Sequence, residues 1–258
     1  MTAIAPEAAI LRTTPASAQR TWRVVRLALV NKWSTVWTPI MVMAFIWLVN
    51  YVIWWIIYVA TPESGRAKAM EGTEWAGGGF YIFVYMLIVG ITVVSATFPF
   101  ALGYSVTRRD FWFGASLTFL LLSVGYAIGF SVLSFIEEWT NGWGLGGHLF
   151  TSVYFSTGGF FTRFFVVFVM LLFVFFLGAA SATLFMRWRM AGLLVAGAVL
   201  AIVIVGLVAL VTFTQSWPAV GTWFADMGPV GVVAWLLVPT VISALAGFFV
   251  LRRATPKS

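Results

Sequence analysis

The chain has 258 residues, of which 62% are hydrophobic and 9% charged, and its mean hydropathy is +1.00. So little charge cannot cover the surface of a water-soluble domain of this length, which excludes that class. The absence of cysteine excludes a disulfide frame, a thiolate metal site and a cysteine nucleophile. The net charge of +7 does not point to nucleic acid, because the basic residues flank apolar blocks and form no patch with interleaved aromatics.

Residues 1–19 are rich in Ala, Thr, Pro and Ser and read as a flexible cytoplasmic tail rather than a signal peptide. Residues 20–34 follow as a basic lead-in. On a helix, Trp22, Val25, Leu29 and Trp33 share one face, with Arg20 and Arg23 opposite and Leu27 and Val30 spoiling the polar side. The pattern predicts an interfacial amphipathic helix against the inner leaflet; the plainer alternative is a basic segment that only enforces topology.

Residues 35–258 carry six apolar blocks, each near the roughly 20 residues that cross about 30 Å of hydrocarbon. They run from Val36 to Ala60, Gly79 to Tyr104, Phe111 to Ile136, Phe164 to Met186, Ala191 to Phe213 and Pro229 to Leu251. None alternates as barrel strands do, so the fold class is all-α: a polytopic membrane protein with six transmembrane helices and the N-terminal interfacial helix. Twelve of the fifteen Lys and Arg residues fall on one side, at residues 12–32, 108–109, 187–189 and 252–257. Arg66, Lys68 and Arg163 fall on the other. The positive-inside rule then places both termini in the cytoplasm of a multi-pass cell-membrane protein. Trp and Tyr near the ends of the blocks fit the wet–dry boundary.

Chemistry is sparse. No charged residue lies near the centre of a block, which argues against a proton-coupled pump. Asn50 is the most polar residue deep in the first block and is expected to bond between helices. No Gly-rich phosphate loop is present, and the three lysines, Lys32, Lys68 and Lys257, lie outside any such sequence. Ser156-Thr157-Gly158-Gly159 with the single histidine, His148, makes only a faint serine site in an outer loop. The chain is therefore not expected to be an enzyme by itself, and it carries no catalytic, cofactor or metal residue. Small residues cluster at 178–182, at Gly125 and Gly129, at 196–201 and at 243–247; they fit either packing within one bundle or a dimer seam. Pro99 and Pro239 are candidate kinks.

The most distinctive stretch runs from Phe98 to Gly114 and contains Gly103-Tyr104-Ser105-Val106-Thr107-Arg108-Arg109-Asp110-Phe111. It resembles the first cytoplasmic turn of the permease subunits of type-2 ABC exporters, where a Gly, a small polar pair and Arg-Arg before an aromatic join the second and third spans. Elsewhere the chain is similar to that family only in plan, and it lacks the large external domain of some members. The resemblance implies that Ser105, Val106, Thr107, Arg108, Arg109 and Asp110 couple to a separate ATP-binding cassette subunit, which holds ATP and Mg. It also implies a second permease chain, identical or not, and contact with membrane lipid. The rival functions are a non-transporting assembly or regulatory subunit and an ATP-independent channel or carrier.

Overall fold

The computed structural model describes residues 17–103, 106–155 and 158–253, and among them every regular element is helical. The helices are α1 (Ser17–Ala28), α2 (Thr38–Ala60), α3 (Glu63–Glu71), α4 (Tyr81–Gly103), α5 (Arg108–Trp139), α6 (Phe160–Phe213), α7 (Trp217–Ala234) and α8 (Leu237–Arg253). Five helical stretches among the described residues are long and apolar enough to cross a membrane: Trp33–Ala60, Glu63–Gly103, Arg108–Trp139, Phe160–Phe213 and Trp217–Arg252.

The fourth and fifth apolar blocks of the sequence thus form one stretch of 54 residues. That stretch is not straight. Arg189 takes φ 57° and ψ −146°, outside the helical region. A Cβ placed on Gly192 would lie 3.2 Å from the carbonyl oxygen of Leu184, whereas eight residues of straight helix span about 12 Å. The chain therefore turns sharply at Arg189, between arms 160–188 and 190–213. The first arm is packed; the second is exposed along nearly its whole length.

Helices in hydrocarbon gain nothing from hiding apolar side chains, so close approach has to hold them together. Here α4 and α6 meet backbone to backbone. A Cβ on Gly90 would lie 2.6 Å from the Phe175 carbonyl oxygen, and one on Gly178 would collide with the carbonyl oxygen of Leu87. The Phe119 ring of α5 stacks on Phe175, with centroids 5.2 Å apart, and meets Phe176 edge-on. Around this crossing lie the buried Met86, Val93, Val94, Phe98, Leu171 and Ala179.

The prolines differ in effect. Pro99 sits inside α4, which continues to Gly103. Pro239 follows an interruption at Trp235-Leu236, as expected of a ring that clashes with the carbonyl four residues back. A second break at Gly228, with φ 62°, lies inside α7 just before Pro229. A π-helical segment, Trp33–Trp37, joins the lead-in to α2. Pro39 cannot donate to the Thr35 carbonyl; the Tyr126 hydroxyl of α5 does so at 2.8 Å, and Tyr85 of α4 donates to the Ser34 carbonyl at 2.6 Å.

Gly178→Leu is expected to force α4 and α6 apart and to destabilise the protein by at least about 1–3 kcal/mol, since the clash is with backbone. Gly197→Leu, where a Cβ meets nothing within 4 Å, is the matched control. Thermal unfolding of the two purified variants in detergent should show a large loss for the first and little change for the second.

Candidate functional site

The basic turn between α4 and α5 is built from its backbone outward. Thr107 is extended and caps α5, its hydroxyl oxygen accepting from the Asp110 N–H at 3.1 Å. Thr-Arg-Arg-Asp is thus a short N-terminal capping signature, legible in the sequence as a hydroxyl followed three residues later by an acid. Val106 is buried, and its N–H donates to the Ala101 carbonyl, closing the end of α4. Ser105 lies outside the described residues.

The two arginines and the aspartate part company here. Asp110 is only 8% exposed, with its carboxylate 3.1 Å from Nε of Arg20 on α1, a close ion pair rather than an aligned hydrogen bond. Arg108 is half-buried and donates to the backbone carbonyl of Arg252 at 2.9 Å, tying α5 to the end of α8. Arg109 is exposed, with its guanidinium 5.5 Å from the Phe113 ring centroid. Gly247 of α8 packs against the Trp112 indole, and Phe113 lies near Phe248. One end of the bundle therefore gathers α1, the start of α5 and the end of α8, together with Arg20, Arg108, Arg109 and Arg252.

The lead-in residues do not act as one lipid-facing stripe. Val25 is buried together with Val24 and Ala28. A Cβ on Gly114 of α5 would lie 2.7 Å from Val24 Cγ1 and 2.9 Å from the Thr21 carbonyl oxygen, so α1 rests directly on α5. Leu29 is half-buried, while Trp22 and Trp33 are 47% and 68% exposed. The apolar face is divided between the protein and its surroundings.

Sequence reasoning missed a second constellation at the opposite end of α5. Residues 147–155, expected in an outer loop, fold into the protein: Leu149, Phe150 and Phe155 are buried, and Phe155 packs among Phe80, Phe83 and Phe130. Glu137, 1% exposed, holds this segment. Its carboxylate accepts from the backbone N–H groups of Leu149, Phe150 and Thr151 at 2.9–3.1 Å, from the Thr151 hydroxyl at 2.6 Å and from the Trp143 indole at 3.0 Å. Ser134 donates to the Phe150 carbonyl at 2.9 Å. Every neighbour of Glu137 donates, as a carboxylate requires.

Because the Thr151 proton goes to Glu137, His148 Nδ1, 2.8 Å from the same hydroxyl, is the donor to it. Its Nε2 then faces Glu74, 3.8 Å away. The His148 N–H donates to the Thr73 hydroxyl and the Val153 N–H to the Glu74 carbonyl, which stitches residues 73–74 to the same segment. Buried Arg163 pairs with Glu138. Asn50 bonds the Ile46 carbonyl of its own helix, not another helix as expected. Ser156 and Thr157 lie outside the described residues, and His148 is engaged as above. Among the described residues no group of three metal-ligating side chains is present.

No protein-family model, curated protein or solved structure matches this chain.

Glu137→Gln replaces an acceptor oxygen with a donor facing other donors. It is expected to cost about 2–3 kcal/mol and to release residues 147–155. Glu63→Gln, at an exposed position, is expected to stay within about 0.5 kcal/mol. Thermal unfolding in detergent, with hydrogen exchange at 147–155, checks both.

Proposed function

We propose that the chain is the transmembrane permease subunit of a type-2 ABC exporter, driven by a separate ATP-binding cassette subunit that docks on the basic turn. The observation that carries this reading is the turn itself. Arg109 is presented at the surface, while its neighbours Arg108 and Asp110 fasten the turn to α8 and α1. Both arginines also occupy the first turn of α5, where the helix dipole disfavours positive charge by about 0.3–1 kcal/mol each. Stability of α5 is therefore no reason to have them there; positive-inside orientation and an acidic partner surface are.

A push on this turn has a path into the protein. It bears on α1 through the ion pair of Arg20 with Asp110, on α8 through the Arg252 carbonyl, and on the α4–α6 crossing through Phe119. In this reading, the partner binds and hydrolyses ATP with Mg, and two permease chains rock against each other. In the same reading the two arms on either side of the turn at Arg189 are separate crossings, which would bring the count to six spans of the cell membrane. Both termini face the cytoplasm, α1 flanks the inner leaflet, and the basic end of the bundle is the cytoplasmic one.

Two measurements test this. Reporter fusions at Lys257 and near Trp217 are expected on opposite sides of the membrane; the same side for both would end the six-span reading. Arg109→Ala is expected to lower transport-coupled ATPase activity of the purified complex severalfold with normal membrane insertion, and Arg108→Ala with Arg109→Ala to lower it further. The double Lys variant should keep lipid attraction but lose the planar fork, and so fall between. Full coupling in the double Ala variant, or failure of the chain to co-purify with any ATPase, would remove the docking role and leave a non-transporting subunit.

A further inference from the structure

Residues 73–75 and residues 147–155 meet beside the far end of α5. The His148 N–H donates to the Thr73 hydroxyl at 3.0 Å, the Val153 N–H donates to the Glu74 carbonyl at 3.1 Å, and the Trp75 and Tyr154 rings meet edge-on. Residues 63–75 follow directly on α2, and Arg66 binds them back to it by donating to the Tyr58 and Thr61 carbonyls. A Cβ on Gly147 would collide with the Trp54 indole of α2. The junction is therefore where the end of α2 is held against the segment that Glu137 anchors.

Hydrogen bonding at this junction depends on one proton. The Thr151 hydroxyl donates to Glu137 at 2.6 Å, so its oxygen can only accept from His148 Nδ1 at 2.8 Å. A neutral ring protonated at Nδ1 turns the Nε2 lone pair toward the Glu74 carboxylate, 3.8 Å away, acceptor against acceptor. A neutral ring protonated at Nε2 suits Glu74 but sets its Nδ1 lone pair against the Thr151 oxygen. Only imidazolium donates at both nitrogens. Protonation thus adds a charged contact between the two segments and breaks none of the bonds already there.

Four charged side chains share the recess onto which His148 opens: Glu74 from the turn after α3, Glu137 and Glu138 from α5, and Arg163 from α6. Arg163 pairs with Glu138, and Glu137 reaches His148 through Thr151. Among the described residues, Glu74 is the carboxylate that meets the ring directly. Lys68 and Glu71 of α3 are exposed. The His148 and Glu74 side chains are 32% and 39% exposed, so solvent screens the pair and its effect is a severalfold change in population rather than an all-or-none one.

We propose that His148 and Glu74 form a proton-operated latch. Protonation of His148 Nε2 fastens residues 73–75 onto residues 147–155, and loss of that proton loosens them. Imidazole changes charge between about pH 5 and 8, where carboxylates stay ionised. The closed junction binds the proton better than the open one, so closure is favoured as pH falls through that range and is lost as pH rises. The latch needs no ATPase partner and stands independently of the transport reading.

The test uses the full-length protein in lipid nanodiscs. His148 is the one histidine of the chain, so isotope-labelled histidine gives a single ring to follow by nitrogen NMR. At about pH 8 the neutral ring is expected to carry its proton on Nδ1. Hydrogen exchange is then compared at about pH 5.5 and about pH 8, each rate corrected for the intrinsic pH dependence of amide exchange. Protection of residues 147–155 is expected to be about threefold greater at the lower pH, with α4 unchanged as the report of an intact fold. Glu74→Gln is expected to abolish that difference, because its amide donates to the neutral ring and carries no charge for the protonated one. His148→Gln removes the titrating group, is expected to abolish the difference too, and serves if the first variant does not fold.

A neutral ring protonated at Nε2, equal protection at the two pH values in the wild type, or a difference that survives either substitution overturns the proposal.

Discussion

The fold depends on the crossing of α4 and α6, where Gly90 and Gly178 bring two backbones into contact. In water such a crossing would be one contribution among many, because burial of apolar side chains would drive association anyway. In lipid that drive is absent, and packing of matched surfaces takes its place. Glycine at both positions removes the side chains that would hold the helices apart. The aromatic stack of Phe119 on Phe175 then fixes α5 against the same pair. Helix α1 repeats the device on a smaller scale, with Val24 seated on Gly114, and α8 repeats it with Gly247 against Trp112.

A second constraint shapes the far end of α5. Irregular backbone can lie inside a membrane protein only where its N–H and C=O groups find partners. Residues 147–155 bring such backbone into the protein, and a single carboxylate accepts hydrogen bonds from three consecutive backbone N–H groups and one hydroxyl of it. A charge is suited to this work, because one oxygen pair can accept several convergent donors and strengthens each bond. The same donors compensate the burial of the charge. Glu137 is therefore a structural anion, distinct in role from Glu138, which balances buried Arg163.

What could be read from the sequence follows from the range of the interaction involved. The helices were legible because apolar blocks of spanning length leave a backbone few alternatives. The capped turn at Thr107 was legible in principle, being a pattern within four residues. Glu137 was not, because all its partners but Trp143 lie twelve to fourteen residues away in a segment whose Gly-rich composition signals only a loop. The face of α1 was misleading for another reason. An apolar stripe fits a leaflet or a neighbouring helix equally well, and only the close contact of Val24 with Gly114 shows where part of it goes. Among the small-residue clusters, composition could not separate Gly178, which another backbone fills, from Gly125 and Gly197, which nothing fills.

The arginines show why a charge count and a contact list answer different questions. Orientation in the membrane depends on the number of basic residues near each end of a span, whatever their neighbours. Which of them remain free to meet anything outside the chain is a matter of their contacts. Arg20 is engaged by Asp110, and Arg108 by the Arg252 carbonyl, so their charges hold the basic end together. Arg23, Arg26 and Arg109 are exposed. Of these, Arg109 alone belongs to the capped turn, whose geometry is fixed by Thr107 and Asp110 and whose backbone is coupled to α1 and α8. A flexible lysine on a loose loop would serve orientation equally well. The braced turn differs from such a loop in that its neighbours Arg108 and Asp110 bind it to the end of α8 and to α1.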